Sequence, residues 1–205
     1  MRLVKRLSRE DWERAALEAM ADAGVAAVAV EPLARRLGVT KGSFYGFFAN
    51  RDELIEAALS RWEQAHLDAF VASLNDNADP AERLRALVTL ATSAARTRTI
   101  QGRLLLESSD PRVRAALQRV SHIRLMRLEG IFSELGYSKA TAARRSTLSY
   151  ALYIGLLQLA REIPERLEDE AALVEELLEI LATHPRTGPH RVERGRGSPD
   201  PNGSR

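Results

Sequence analysis

Residues 28–54 of the chain read VAVEPLARRLGVTKGSFYGFFANRDEL, a stretch that predicts two short helices joined by a tight turn. Pro32 suits the first turn of a helix, because the N–H that it lacks would have no helical partner there. Gly38 is a typical helix end, and Thr40 is placed to cap the next helix. Asn50 and Glu53 form a capping box that opens a third, longer helix.

The second of these helices has two chemically different faces. Phe44, Phe47 and Phe48 recur at spacings of three and four, so they point the same way and anchor the helix on its neighbours. Lys41 lies in the first turn, where helix-turn-helix proteins contact base edges and phosphates. Tyr45 points away from the phenylalanines, with a hydroxyl that can reach a phosphate oxygen. The pattern predicts a helix that enters the major groove of DNA.

The run Leu37–Tyr45, followed by Phe48, Arg51 and Leu54, resembles the DNA-binding signature of TetR/AcrR-type transcriptional regulators. The resemblance implies an all-α fold, with an N-terminal three-helix helix-turn-helix head and a C-terminal helical body that binds a ligand and dimerises. It also implies DNA contacts from Thr40, Lys41, Gly42, Ser43, Tyr45, Gly46 and Arg51, the last of which grips the phosphate backbone. The chain departs from the family at Gly46 and Phe47, where a larger residue and a histidine are common.

The rest of the chain reads as successive helices, because apolar residues recur at spacings of three and four and no alternating strand pattern is present. We predict a DNA-binding domain over 6–66, with its recognition motif at about 29–48, and an effector-binding and dimerisation domain over 67–183. Residues 184–205 are rich in Gly, Pro and Arg and have one aliphatic residue, which predicts a disordered basic tail. Weak, sequence-independent DNA contact is an alternative role for this tail.

Residues 148–160 are apolar on all sides, so they must be buried on two faces. The last helix is also broadly apolar. Together with the resemblance, this predicts a homodimer with a four-helix interface, although burial within a monomer is the alternative. The interface candidates are Leu148, Leu152, Gly155, Leu156, Leu177 and Leu181.

The resemblance implies a pocket for a small-molecule effector in the body. Polar residues on otherwise apolar helices are the candidates for its lining. They are Ser93, Gln101, Glu107, His122, Tyr150, Tyr153 and Gln158. The identity of the effector cannot be read from these residues.

Composition excludes several classes of function. The chain has no cysteine, and its four histidines never occur at a metal-ligand spacing, so we expect no disulfide and no metal site. No catalytic motif is present, and we therefore expect neither an enzyme nor a cofactor. The formal net charge of +2 predicts only modest non-specific DNA affinity. Without an 18-residue apolar run or a signal-peptide region, we expect a cytoplasmic protein that does not bind membranes.

These observations predict a sequence-specific transcriptional regulator, a homodimeric repressor that a small-molecule effector releases from a near-palindromic double-stranded DNA operator. The alternative is an all-α protein-interaction or architectural module that uses its helix-turn-helix without specific operator recognition.

Overall fold

The computed structural model describes residues 7–72, 78–96 and 100–182. All regular structure in these ranges is helical. The predicted basic tail and the arginines and lysine at positions 2, 5 and 6 lie outside the described residues. The α-helices are α1 (Arg9–Ala23), α2 (Val30–Leu37), α3 (Arg51–Ala72), α4 (Pro80–Arg96), α5 (Ile100–Leu106), α6 (Pro111–Glu134), α7 (Lys139–Glu162) and α8 (Glu170–Ala182), and 3₁₀ turns cover Val25–Ala27, Lys41–Gly46 and Pro164–Leu167.

Side chains cap the N-termini of several helices. Ser8 and Asp11 form a reciprocal capping box at the start of α1. The Asp110 carboxylate accepts a hydrogen bond from the Arg112 N–H at 2.9 Å, and Ser138 Oγ accepts one from the Thr141 N–H. These caps satisfy N–H groups that have no partner within their helices.

Two predicted caps differ in the structure. Thr40 makes no side-chain cap, and its carbonyl instead accepts a hydrogen bond from Ser43 Oγ at 2.7 Å. Asn50 Oδ1 does accept from the Glu53 N–H at 2.9 Å, but the Glu53 carboxylate accepts from the Ala49 N–H, one residue before the expected donor.

The N-terminal helices enclose an aromatic core. Trp12 meets Phe44 edge to face with 5.3 Å between ring centroids, and Phe44 stacks on Phe48 at 5.6 Å. All three side chains are buried. The head, which we define as α1, α2, the Lys41–Gly46 turn and the first half of α3, is therefore fixed by the residues that the sequence marks as anchors.

The core of the head continues into the body, defined as α4 to α8. Leu104 of α5 and Val113, Leu117 and Val120 of α6 are buried in the same cluster as Trp12. A second cluster holds α4, α6, α7 and α8 together. The predicted domain boundary at residue 66 thus crosses a shared core, within the continuous helix α3.

Helix α7 divides its apolar residues differently from the prediction. Leu156 is 7% exposed and packs inside the subunit with Tyr153 and Leu157, whereas Leu148, Leu152 and Gly155 are exposed. Leu177 and Leu181 of α8 are also buried within the subunit. These three leucines therefore belong to the core of the subunit, because the helical repeat turns them towards α4 and α6 rather than outward.

Candidate nucleic-acid interface and internal cavity

A left-handed glycine sets the angle between α2 and the Lys41–Gly46 turn. Gly38 has φ 71° and ψ 30°, and the Val39 N–H reaches back to the Ala34 carbonyl at 2.9 Å. This closure is favourable for glycine, since a Cβ atom would be strained at that φ. We call residues 40–46 the recognition segment. Its regular part is a 3₁₀ helix.

The recognition segment presents most of the predicted DNA-contacting residues to solvent. Phe44 is buried, and Tyr45 next to it is 59% exposed. Ser43 is half-buried, and its hydroxyl donates within the segment. The other members, Thr40, Lys41, Gly42 and Gly46, are exposed. The burial of Phe44 thus orients the polar side chains of the recognition segment towards solvent.

Lys41 is paired with an acid from α2. Its ammonium lies 3.1 Å from Glu31 Oε1, and both side chains are more than half exposed. The hydrogen bond and the charge of Glu31 raise the pKa of Lys41. A DNA phosphate or base edge would compete with Glu31 for this ammonium.

Arg51 is turned towards the protein's own backbone. Its Nε donates to the Val28 carbonyl at 2.5 Å, and its Nη2 donates to the Val25 carbonyl at 2.8 Å. Both acceptors lie in the connection between α1 and α2. The predicted phosphate contact of Arg51 remains a prediction, and the structure gives this residue a position inside the head.

Arg9, the first residue of α1, is also engaged within the head. Its guanidinium lies 4.2 Å from the centroid of the Phe48 ring and donates to the Phe47 carbonyl at 2.7 Å. A further bond joins it to Glu53. Arg9 therefore ties α1 to the end of the recognition segment.

Gly46 has open space around it. A Cβ atom at this position would meet no atom within 4 Å, and the residue has no positive φ. The surrounding fold therefore does not require glycine here.

The body contains a cavity of about 180 Å³ bounded by α3, α4, α6, α7 and α8. Most of its wall is aliphatic. Of the predicted effector residues, Tyr150 and Tyr153 line it, and buried Gln101 accepts a 2.9 Å hydrogen bond from the Tyr153 hydroxyl.

Four predicted effector residues lie away from this cavity. Ser93 and His122 are exposed, and exposed Gln158 bonds to Glu162 one turn along α7. Glu107 accepts a 2.7 Å hydrogen bond from the Val25 N–H and so joins the body to the head. A polar residue on an amphipathic helix is found on the exposed side more often than in a pocket, which explains these differences.

Two cavity residues were not singled out from the sequence. Arg124 lies in α6 and is 8% exposed, and His66 lies in α3. Burial, together with the charge of Arg124, lowers the pKa of His66 to about 4. The sequence contains a signal for both: Arg124 lies four residues after Val120 and four before Leu128, on the apolar side of α6, and His66 lies four residues after Trp62 and four before Phe70.

Neither a metal site nor a membrane span is found in the ranges that the structure covers. There, no three His, Asp or Glu side chains converge as metal ligands would. No helix in those ranges has the length and apolar character needed to cross a bilayer.

Residues 14–58 match the family model described as bacterial regulatory proteins, tetR family. The fold is similar to that of a transcriptional regulator from Rhodococcus sp. Rha1, with a TM-score of 0.69, 21% identity, and coverage of 86% of this chain and 94% of that one. A TetR-family transcriptional regulator from Streptomyces coelicolor aligns with a TM-score of 0.73 and 17% identity, over 85% and 90% of the two chains.

The regulator FadR from Bacillus subtilis, solved in complex with stearoyl-CoA, aligns with a TM-score of 0.66 and 17% identity, over 86% and 98% of the two chains. No curated protein matches the chain by sequence.

Proposed function

We propose that the chain, whose residues 14–58 match the model of the tetR family of bacterial regulatory proteins, is a sequence-specific DNA-binding regulator of transcription. We further propose that it acts as a homodimeric repressor that a small-molecule effector releases from a near-palindromic operator. The observation that carries the proposal is the exposed polar surface of the recognition segment, mounted on buried Phe44 and Phe48.

The recognition segment supports DNA binding by its shape and chemistry. Thr40, Lys41 and Tyr45 offer two hydroxyls and one ammonium from a narrow helical element, which suits phosphate and base-edge contacts in the major groove. Glu31 forms an ion pair with Lys41 in the free protein. DNA that binds Lys41 must break this pair, which makes the free energy of DNA binding less favourable.

The exposed face of α7 supports a homodimer. Leu148, Leu152, Gly155 and Leu159 follow one another at intervals of four, three and four, which is the spacing of a helix-packing seam. Leu148 is 61% exposed, as is Ile180 of α8, and a hydrogen bond from Arg145 to the Leu181 carbonyl holds the two helices together near both residues. We propose this face as the contact with a second copy.

The cavity supports control by an effector. It has an apolar wall with a few polar groups, as small-molecule sites generally do. The FadR neighbour was solved with a ligand, which is consistent with ligand binding in this fold. An effector that binds one packing of the body more tightly than another would shift the positions of the two heads.

DNA binding is tested by titrating the protein with a near-palindromic duplex from DNA upstream of its own coding sequence and with a scrambled duplex, at several salt concentrations. We expect specific binding to be roughly a thousandfold tighter than non-specific binding. Lys41→Ala should change the preferred bases as well as the affinity, whereas Tyr45→Phe should weaken binding to all sequences about equally.

Glu165→Gln, a change on an exposed turn of the body, provides the matched control and should bind like the wild type. Equal affinity for both duplexes would instead support an architectural module without operator recognition.

A further inference from the structure

Arg124 brings a positive charge into the cavity of the body. The residue is 8% exposed, and the described residues that line the cavity include no aspartate or glutamate. A buried charge without a partner is costly, so proteins usually pair it. A bound anion would therefore provide Arg124 with the countercharge that the described lining residues do not supply.

The guanidinium also has hydrogen-bonding capacity to spare. An arginine side chain carries five N–H donors. Arg124 donates from Nη1 to Gln101 Oε1 at 3.0 Å and also interacts with the Tyr153 hydroxyl, while its Nε is buried without a partner among the described residues. Aromatic rings of Tyr153 and Phe70 lie 5.0 and 5.8 Å from the guanidinium carbon and hold its plane in place.

The rest of the wall limits what else the ligand can be. All residues that line the cavity lie in described helices. Among them, only Arg124 is charged at neutral pH, because the lowered pKa of His66 leaves that side chain neutral. The remaining wall is mainly Leu, Val, Ala and Phe. An apolar cavity of roughly 150 Å³ holds a benzene-sized molecule, so about 180 Å³ suits a ligand with a short apolar part.

We propose that this cavity binds a small, mostly apolar carboxylate, whose anionic group pairs with Arg124 and whose hydrocarbon part fills the space between α4, α7 and α8. The inference rests on the proposed function in taking the cavity as the effector site. A carboxylate matches the fork of a guanidinium, which forms two parallel hydrogen bonds with it. The carboxylate of the ligand would neutralise the charge of Arg124 and accept hydrogen bonds from guanidinium N–H groups that have no acceptor among the described residues of the free protein.

Direct binding tests this assignment without any DNA. The probes are linear alkanoates from hexanoate to dodecanoate, each paired with the primary amide of the same length, titrated by calorimetry into the purified full chain. The acid and its amide have nearly the same shape and differ in charge. We expect the best acid to bind about tenfold or more tightly than its amide.

Two variants assign the preference to Arg124. Arg124→Leu should bring the acid-to-amide ratio close to one. Gln101→Glu should do the same while keeping the acceptor for Arg124 and Tyr153, because it places a carboxylate beside the guanidinium. The new carboxylate replaces the buried Gln101 Nε2 and has Arg124 as its countercharge. Arg127→Leu, an exposed position on the same helix, should keep the wild-type ratio.

Equal binding of acids and amides by the wild type, or no binding of any acid in the series, would overturn the assignment. So would a preference for acids that survives in both Arg124→Leu and Gln101→Glu. The operator titration is scored separately: an acid that binds through Arg124 without changing DNA affinity supports the ligand class and argues against effector control. Release from DNA by an uncharged molecule alone supports effector control and overturns the ligand class.

Discussion

Arg51 illustrates how one side chain can serve the fold while its sequence context suggests a DNA contact. Two of its donors go to the Val28 and Val25 carbonyls, in the connection that orients α2 against α1. A weaker affinity for DNA after its removal would therefore not by itself identify a phosphate contact.

Arg51→Ala should lower the free energy of unfolding by about 1 to 3 kcal/mol in the absence of DNA, because two partly buried carbonyls lose their donor. Chemical denaturation of the free protein measures this. Arg35→Ala, a change at an exposed arginine of α2, should cost much less. If both variants unfold like the wild type, the internal bonds of Arg51 contribute little to stability.

His66 should make stability depend on pH. Burial and the nearby charge of Arg124 lower the pKa of His66 from the usual 6.5 of histidine to about 4 in the folded protein. Below pH 6.5 His66 is protonated in the unfolded chain but stays neutral in the folded protein. The contribution of neutral His66 to the free energy of unfolding is therefore complete above pH 6.5 and is lost as the pH falls towards 4.

Between pH 7 and pH 5 we expect the wild type to lose about 1 to 2 kcal/mol more unfolding free energy than His66→Gln. Denaturant titrations at the two pH values measure the difference. His122→Gln, at an exposed position of α6, should retain the wild-type pH dependence. Equal losses in wild type and His66→Gln would contradict the assignment.

At the scale of elements, α5 connects the cavity to the head. Gln101 near its start bonds to Arg124 and Tyr153, and Glu107 just after its end accepts from the Val25 N–H. Gly24 permits this contact, since a Cβ there would lie 1.7 Å from Glu107 Oε1 and the residue has φ 84°. A movement of α5 would therefore be transmitted to the connection between α1 and α2, whose carbonyls also accept hydrogen bonds from Arg51.

Glu107→Ala should leave ligand affinity unchanged and should reduce the effect of a bound ligand on DNA affinity, because the link from α5 to Val25 is removed. The measurement combines calorimetry with operator titration in the presence and absence of ligand. Glu165→Ala, in an exposed turn, is the control. A full response to ligand in Glu107→Ala would mean that the signal takes another route.

At the scale of the whole molecule, the proposed homodimer would hold two heads about 34 to 36 Å apart on one face of DNA. Leu148→Glu should therefore yield a folded monomer that no longer binds the palindrome specifically. The position is 61% exposed, so the new carboxylate stays solvated in the separated subunit but would be buried in the dimer.

Gly155→Leu provides a second test, because Gly155 is exposed and a Cβ atom there would meet no neighbouring element of its own subunit within 4 Å. Sedimentation gives the oligomeric state, and circular dichroism reports folding. Leu156→Glu is the contrasting control and should unfold the chain, since Leu156 lies in the subunit core. If Leu148→Glu and Gly155→Leu both remain dimeric with native operator affinity, the proposed interface is wrong.

Local chemistry indicates where several helices of this protein begin and end. Ser8, Asp110 and Ser138 mark helix starts, and Gly38 marks a helix end, because caps and left-handed residues act over only a few residues. The aromatic spacing of Phe44 and Phe48 likewise predicted which side of the recognition segment is buried. The all-α fold class follows from such short-range patterns, repeated along the chain.

The tertiary structure decided which face of each helix meets which neighbour. The sequence marks residues 148–160 as apolar on all sides but cannot assign Leu156 to the core and Leu148 to the surface, since that depends on where α4 and α6 lie. It also cannot bring Arg124 of α6, Gln101 of α5 and Tyr153 of α7 together, because residues this far apart in the chain meet only through packing. Periodicity records that a helix has an apolar face, and only the assembled fold specifies the partner of that face.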